Sequence, residues 1–468
     1  MSISRCIARR FRRLRLLLET SRKFAAVLFA TRPVVDKLND AVSRFIFSMT
    51  NHSSEPCGVD FGTSNSTLGW DRPGQSALLP LEDGKVTLPS VIFFHAEDIH
   101  ASYGRAALAD YLNGHEGRLM RSLKSLLGTS MIDEHTELNG RALPFRKLLE
   151  QFIGELKHRA EQAAGRKFSQ AVLGRPVFFV DDDSQADRLA EKTLRDIAHA
   201  VGFKEVVFQF EPIAAAFDYE SQIAREELVL VADIGGGTSD FSLVRLSPQR
   251  ALKSDRRDDI LANGGVHIGG TDFDKYLSLS GVMPMLGMGS LLKSGREMPS
   301  APYFNLATWH TINFAYTRKA WAEILDLRRH ALDKDKLDRL LNLVRQRSGH
   351  WLALQVEAAK IALSDLSTTQ IELGRIEPGQ SLLLTREGFG EAIAHLVLRV
   401  EGTLKALMRD AGVNAKSIDT VFFTGGSSSV PLLREKISAL LPDAKRVEGD
   451  LFGSIGAGLA LDARRKFG

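Results

Sequence analysis

Residues 58–66 read Gly58-Val59-Asp60-Phe61-Gly62-Thr63-Ser64-Asn65-Ser66, and residues 231–240 read Val231-Ala232-Asp233-Ile234-Gly235-Gly236-Gly237-Thr238-Ser239-Asp240. Both stretches follow one plan. An apolar strand carries an Asp two residues before a glycine, a turn of small hydroxyl-bearing residues follows, and a second strand leaves it (67–70 and 241–246). A repeat of this kind predicts two similar lobes facing a shared cleft.

The chemistry of the repeat points to phosphate. Glycine lets the backbone turn tightly and lets its N–H groups approach an anion, and the neighbouring hydroxyls donate to phosphate oxygens. An Asp at each strand end suits hydrated Mg²⁺, which takes a few carboxylates and keeps several waters. Either glycine turn alone reads as an ordinary tight turn. Two copies with Asp at the same offset favour a clamp on a polyphosphate.

Outward from the repeat, short β-branched or aromatic runs alternate with longer helical patterns, which argues an α/β fold. Strands are expected at 171–173, 206–210, 228–231 and 421–423, with a strand exit at 177–180. Residues 185–201 show a helical stripe (Leu189, Leu194, Ile197, Ala198, Val201) stopped by Gly202, and 391–408 show another closed by Gly412. Thr424-Gly425-Gly426-Ser427 leads into a helix near Pro431. Residues 281–349 are Met-rich and aromatic, then rich in Arg and Lys, and read as an inserted subdomain.

Composition excludes other classes. The 468 residues hold 61 Lys+Arg and 57 Asp+Glu, a net charge of +4. Residues 1–50 carry eleven basic and three acidic side chains, against 50 basic and 54 acidic in the remainder. The positive balance therefore belongs to the N-terminal segment, and the body of the chain has no nucleic-acid footprint. That segment resembles a surface-binding helix or a transit peptide in composition. It is read here as an extension outside the fold, with Met49 an alternative start. The longest apolar run in it, 24–30, is too short for a transmembrane span. Two cysteines, Cys6 and Cys57, cannot make a disulfide framework or a zinc site, and fit a reducing, cytoplasmic setting. No G-x-x-x-x-G-K-S/T, H-E-x-x-H, C-x-x-C or G-x-S-x-G occurs.

The ordered motifs resemble the actin-like ATPase superfamily, and within it the ATPase domain of the heat shock protein 70 (DnaK) family. The likeness runs over residues 56–466. It covers both phosphate loops, Phe208-Gln209-Phe210-Glu211-Pro212-Ile213-Ala214-Ala215-Ala216, Gly269-Gly270-Thr271-Asp272-Phe273-Asp274, the 357–364 segment, Gly425-Gly426-Ser427-Ser428 and the 453–460 segment. The run Met283-Pro284-Met285-Leu286-Gly287-Met288-Gly289 looks most like the YegD-type subgroup.

The resemblance implies a two-lobed fold of duplicated RNase H-like domains, with lobe I at 55–221 plus 446–468. Lobe II spans 222–445 and carries the helical insert at 281–350. It implies ATP/ADP and Mg²⁺ as cofactors, with Asp60 and Asp233 facing the metal. Lys124, Glu211, Asp233, Thr238 and Asp240 become the catalytic set. Gly62, Thr63, Ser64, Asn65, Gly235, Gly236 and Gly237 become phosphate contacts. Glu357, Lys360 and Ser364, on one helical face, join Gly269, Gly270, Gly425, Gly426, Ser427 and Asp450 around the nucleoside. The sequence departs from the family at two arginines that sandwich adenine, replaced by Ile361 and Ser429.

The implied activity is slow ATP hydrolysis by a DnaK-like chaperone module, with protein clients or cochaperones as partners. A peptide-binding domain, lid and acidic terminal motif are not expected in a chain ending at Gly468. Two alternatives share the paired loops. One is a sugar-type metabolite kinase using one of Asp181, Asp182 or Asp183 as base; the other is an MreB-like filament former.

Overall fold

The computed structural model describes residues 55–468 except 97–100, 139–140, 181–182, 254–255 and 451–452. The basic N-terminal extension, and Asp181 and Asp182, lie outside the described residues.

Two five-stranded sheets share one topology. In the first, strand Glu55–Phe61 pairs antiparallel with Asn65–Gly69, which pairs antiparallel with Leu88–Pro89; on its other side lie Phe168–Arg175 and Glu205–Phe210, both parallel. In the second, Glu227–Ile234 pairs antiparallel with Ser239–Leu246, which pairs antiparallel with Ile260–Val266. Thr420–Thr424 and Lys445–Glu448 then extend it in parallel. The duplication expected from the two loops is thus a duplication of whole sheets, and the fold is the two-lobed actin-like ATPase fold. The strand buries both faces, so Leu228 to Ala232 reads as a continuous apolar run rather than an alternation.

Helix termini follow local chemistry. Helix Ser184–Ala200 is capped by Asp183, whose Oδ1 accepts from Gln185 N–H (3.0 Å) and Ala186 N–H (2.9 Å). Its buried stripe is Ala190, Thr193, Leu194, Ile197 and Ala198. Leu189, expected on that stripe, is 49% exposed, because the buried arc is centred one residue further along the helix. Helix Arg386–Asp410 is capped by Thr385 Oγ1, which accepts from Gly388 N–H, and is closed by Gly412 at φ 64°.

Helix Glu211–Glu220 crosses the terminal helix Ser454–Phe467 between the two sheets. Ala214 packs with Val172 and Leu459, while Ile213, Ala215 and Phe217 pack with Val229, Val231 and Phe422. At the crossing, a β-carbon on Gly458 would stand 1.8 Å from the Ala214 carbonyl oxygen, so the backbones touch directly. Strand Lys445–Glu448 is the outer strand of the second sheet. After it the chain enters the terminal helix Ser454–Phe467.

The insert is built from short turns and helices Ala301–Ala307, Arg318–His330 and Lys334–Arg345. Met283, Tyr303 and Leu340 are fully buried in a core continuous with Leu230, Phe241 and Phe273 of the second sheet, so the insert is an extension of that core. Its Trp309 and Ile312 pack against Val91, Phe93 and Leu119 of a small sheet formed by Val91–His95, Ala101–Tyr103 and Gly117–Arg121.

Candidate functional site

The two Asp-bearing strand ends bring Asp60 opposite Thr67 and Asp233 opposite Asp240 in their hairpins. The loops then face one another. A β-carbon on Gly236 would lie 2.4 Å from Ser64 Oγ, and one on Gly237 would lie 2.8 Å from Thr63 Oγ1. A side chain at either position would have to push the Ser64 or Thr63 hydroxyl aside. Gly269 backs the same turn: Gly270 N–H donates to Gly235 O (3.0 Å), and Thr271 N–H donates to Gly236 O (2.8 Å). The Gly425 turn closes it from a third side, where a β-carbon would meet Asp233 Oδ1 at 2.5 Å. Gly62 and Asn65 close the first loop, with Ser64 O accepting from Ser90 N–H and Gly62 O from Ser90 Oγ.

Four carboxylates meet one ammonium at the floor. Asp60, Glu211, Asp233, Asp240 and Lys124 are all buried, and Lys124 Nζ donates to Glu211 Oε1 at 2.5 Å. Lys124 is held there by the turn Leu123–Leu126, entered through Ser122 in the left-handed region at φ 58°. Asp240 Oδ1 accepts from Val177 N–H (2.7 Å). Asp233 Oδ1 and Asp240 Oδ2 are buried with no hydrogen-bond partner.

The electrostatics follow from that crowding. Burial, then the Glu211 charge, pushes Asp60 up to about 7 against the pull of Lys124. Burial and then Glu211, Asp240 and Asp60 hold Asp233 well above the usual carboxylate range. Asp240 is pushed up to about 7 by burial, with a Thr238 hydrogen bond opposing and Glu211 adding. Lys124 is desolvated, yet Glu211 and Asp60 outweigh that and raise it. Two orphaned carboxylate oxygens beside one ammonium leave a deficit of positive charge. Among the described residues no three or more His, Cys, Asp or Glu side chains form a group that could hold a metal ion. The donor set fits a hydrated divalent cation, held largely through water.

Glu357, Lys360 and Ser364, expected at the nucleoside, lie on helix Gly349–Asp365. Glu357 forms a two-pronged pair with Arg121, one arm Nη2 to Oε1 at 2.6 Å and the other Nη1 to Oε2. Although burial would raise Glu357, Arg121 wins and holds its carboxyl low. Lys360 Nζ lies 2.9 Å from Asp274 Oδ1 and donates to Gly270 O (3.3 Å). Burial, partly offset by Lys360, pushes Asp274 up to about 6. Ser427 Oγ would meet a β-carbon on Gly270 at 2.3 Å. Ser429 Oγ donates to Gly426 O (3.0 Å) and sits 3.5 Å from Ser364 Oγ. Ile361 is 60% exposed. Asp450 is exposed at the entry to the terminal helix, its carbonyl accepting from Ser454 N–H.

Sequence reasoning missed Arg121 and Asp274 as partners of Glu357 and Lys360, and Val177 N–H as a donor to Asp240. Asp274 stood inside a quoted motif, so the unassigned acid was a visible signal. Arg121 stood three residues before Lys124. A backbone donor leaves no trace in residue type.

A family model described as Hsp70 protein matches residues 138–280 and 326–461. Among curated proteins, the chain is 27% identical over 429 residues to "Chaperone protein HscA" of Klebsiella pneumoniae (strain 342), covering 86% of this chain and 57% of that protein. It is 27% identical over 431 residues to "Chaperone protein HscA homolog" of Pseudomonas fluorescens (strain SBW25), with the same coverage. The chain thus spans under two thirds of the length of these relatives.

Proposed function

The chain belongs to the Hsp70 family, and from that premise we propose that it is a Mg²⁺-dependent, slowly ATP-hydrolysing chaperone module. The observation that carries this reading is the buried set of Asp60, Glu211, Asp233 and Asp240 around Lys124, with two carboxylate oxygens unpartnered between facing glycine loops.

In this reading Asp60 and Asp233 hold the metal's water shell, and Glu211 and Asp240 orient metal water and the attacking water. A Mg²⁺ ion held there would supply positive charge to offset that of the phosphates. Thr63, Ser64, Asn65 and the N–H groups of the 235–237 turn grip phosphate oxygens, with Thr238 fixing Asp240. Lys124 puts a positive charge where negative charge gathers as the phosphoryl group leaves. Positioning and charge stabilisation are most of what phosphoryl transfer asks of a protein. Glu357, Lys360, Ser364, Ser427 and Asp450 face the nucleoside.

We assign lobe I to residues 55–221 plus the terminal helix, and lobe II to the stretch between, ending at Glu448. The buried free thiol of Cys57 fits a cytoplasmic setting. Nucleotide-driven closure of the lobes is the signal offered to clients or cochaperones, as hinge closure is a common switching motion. Among the described residues no helix is long and apolar enough to cross a membrane.

The test is ATP turnover by the full chain with and without Mg²⁺ and with candidate sugars. Mg²⁺-dependent release of phosphate without a phosphorylated sugar is expected. A phosphorylated sugar would replace this reading with the kinase one, and no nucleotide binding would end both. Asp183 already caps a helix, which occupies one carboxylate that a kinase would need as base.

A further inference from the structure

A cavity of about 1080 Å³ lies between the 94–118 and 134–137 segments on one side and the 313–317 and 345–350 segments of the insert on the other. None of the residues assigned to nucleotide lines it. Its volume is at the upper end of pockets that take small organic molecules, roughly 300–1,000 Å³.

Four arginines line it: Arg118, Arg345, Arg347 and Arg375. Their hydrogen bonds go to uncharged oxygens. Arg118 Nη1 donates to Glu137 O (2.8 Å), Arg345 Nη2 to Asn342 Oδ1 (2.7 Å), and Arg375 Nη2 to Leu112 O (2.9 Å). Among the described residues no carboxylate stands within ion-pair distance of any of the four, unlike Arg105, Arg121 and Arg175, each of which is paired. Glu116, Glu134 and Glu137 also line the cavity. They serve the wall through their carbonyls, which accept from Ala96 N–H, Phe145 N–H and Arg118.

Two details focus the charge on Arg118 and Arg347. Arg118 Nε is buried with no partner, as is Thr136 Oγ1 in the same lining, whereas most buried polar atoms of folded proteins are matched. Arg118 is also desolvated and, though Glu137 opposes, the Arg347 guanidinium adds to lowering its pKa. Arg347 itself holds φ 52°, a left-handed backbone that non-glycine residues rarely adopt. The Tyr111 hydroxyl ties it down by donating to Arg347 O (3.1 Å). Strain of this kind persists where surrounding structure imposes it, often at binding sites.

We propose that this cavity binds a small organic anion bearing two or more phosphate or carboxylate groups, gripped between Arg118 and Arg347. Guanidinium groups match such anions in planar, two-pronged hydrogen bonds. Because its two walls come from the small sheet and from the insert, the bound anion braces those elements together.

Calorimetric titration of the full chain with tripolyphosphate and, separately, citrate tests the proposal, with Mg²⁺-ADP present throughout to fill the phosphate loops. Binding at one site is expected, and comparison of the two anions tells phosphate from carboxylate preference. Arg347→Gly suits its left-handed backbone, so it should fold at least as well as the parent. It should weaken binding roughly tenfold or more, as should Arg118→Gln. Binding that is unchanged in both variants overturns the proposal. So does the absence of binding of either anion at millimolar concentration, or binding of an acidic peptide alone, which would assign the cavity to a protein partner.

Discussion

Lys124 Nζ lies 2.5 Å from Glu211 Oε1, with both side chains more than nine-tenths buried. The pair joins the turn after strand Gly117–Arg121 to the first residue of the crossing helix. In the proposed mechanism this ammonium acts on charge that appears during reaction more than on the resting nucleotide. Lys124→Ala is expected to lower ATP turnover by roughly 10²–10³-fold, while ATP affinity falls far less. Single-turnover hydrolysis beside equilibrium binding checks this; equal losses would make Lys124 a binding residue. Removing one member of a buried pair also costs roughly 3–5 kcal/mol, so a parallel melting curve belongs with the assay.

Nucleotide and Mg²⁺ together should stabilise the chain, because the orphaned oxygens of Asp233 and Asp240 gain a counter-charge only in that complex. At a hundredfold excess over Kd the gain is about 2.7 kcal/mol. Thermal melts with ADP should shift upward with Mg²⁺ and return with EDTA. In Asp233→Asn the Mg²⁺-dependent part of the shift should disappear.

Ile361 and Ser429 offer no cationic plane to a purine, and Ile361 is mostly exposed. Discrimination between ATP and GTP is therefore expected to be weak. Ile361→Arg should tighten ATP by about fivefold, the equivalent of one stacking contact worth ~1 kcal/mol. A strong ATP preference in the parent chain, seen by calorimetry, would contradict this.

Arg121 and Glu357 tie strand Gly117–Arg121 to helix Gly349–Asp365. A double-mutant cycle on stability, Arg121→Met with Glu357→Gln, should give a coupling of roughly 2–3 kcal/mol. Additivity of the two changes would show the pair to be open to water.

His350 is buried against Tyr111 and Trp309, and burial, with Arg118 and Arg121 adding, lowers it to about 3. In the unfolded chain it takes a proton near pH 6.5. The unfolded state therefore binds a proton that the folded state refuses, and stability falls as pH drops from about 6.5 toward 3. Between pH 6.5 and 5.0 this amounts to roughly 2 kcal/mol at 1.36 kcal/mol per unit. Denaturant melts should show that loss in the parent chain and a smaller one in His350→Phe.

Much of this fold was legible because its signals are local. The strands at 206–210, 228–231 and 421–423 are apolar runs that can go nowhere but a buried sheet, and the structure extends each by one to four residues. The glycine loops were legible because the same Asp-x-Gly turn with small hydroxyl residues occurs twice, at 60–66 and 233–239. What could not be read depends on contacts far apart in the chain. Arg121 meets Glu357 across 236 positions, and neither residue type nor spacing announces the match. Leu189 misled because a helical stripe fixes only the direction of burial, and its edges depend on the neighbour. Strand Lys445–Glu448 was not legible for a similar reason: its exposed, charged residues carry little period, and only its pairing with Thr420–Thr424 assigns it.

The contact of Gly458 with the Ala214 carbonyl has a mechanical consequence. No side chain stands between the two helices there, so nothing can be compressed, and the crossing admits rotation but little sliding. That makes it a pivot. The Arg121–Glu357 pair, which bridges strand Gly117–Arg121 and helix Gly349–Asp365, would have to stretch or part if those two elements turned against one another about that point.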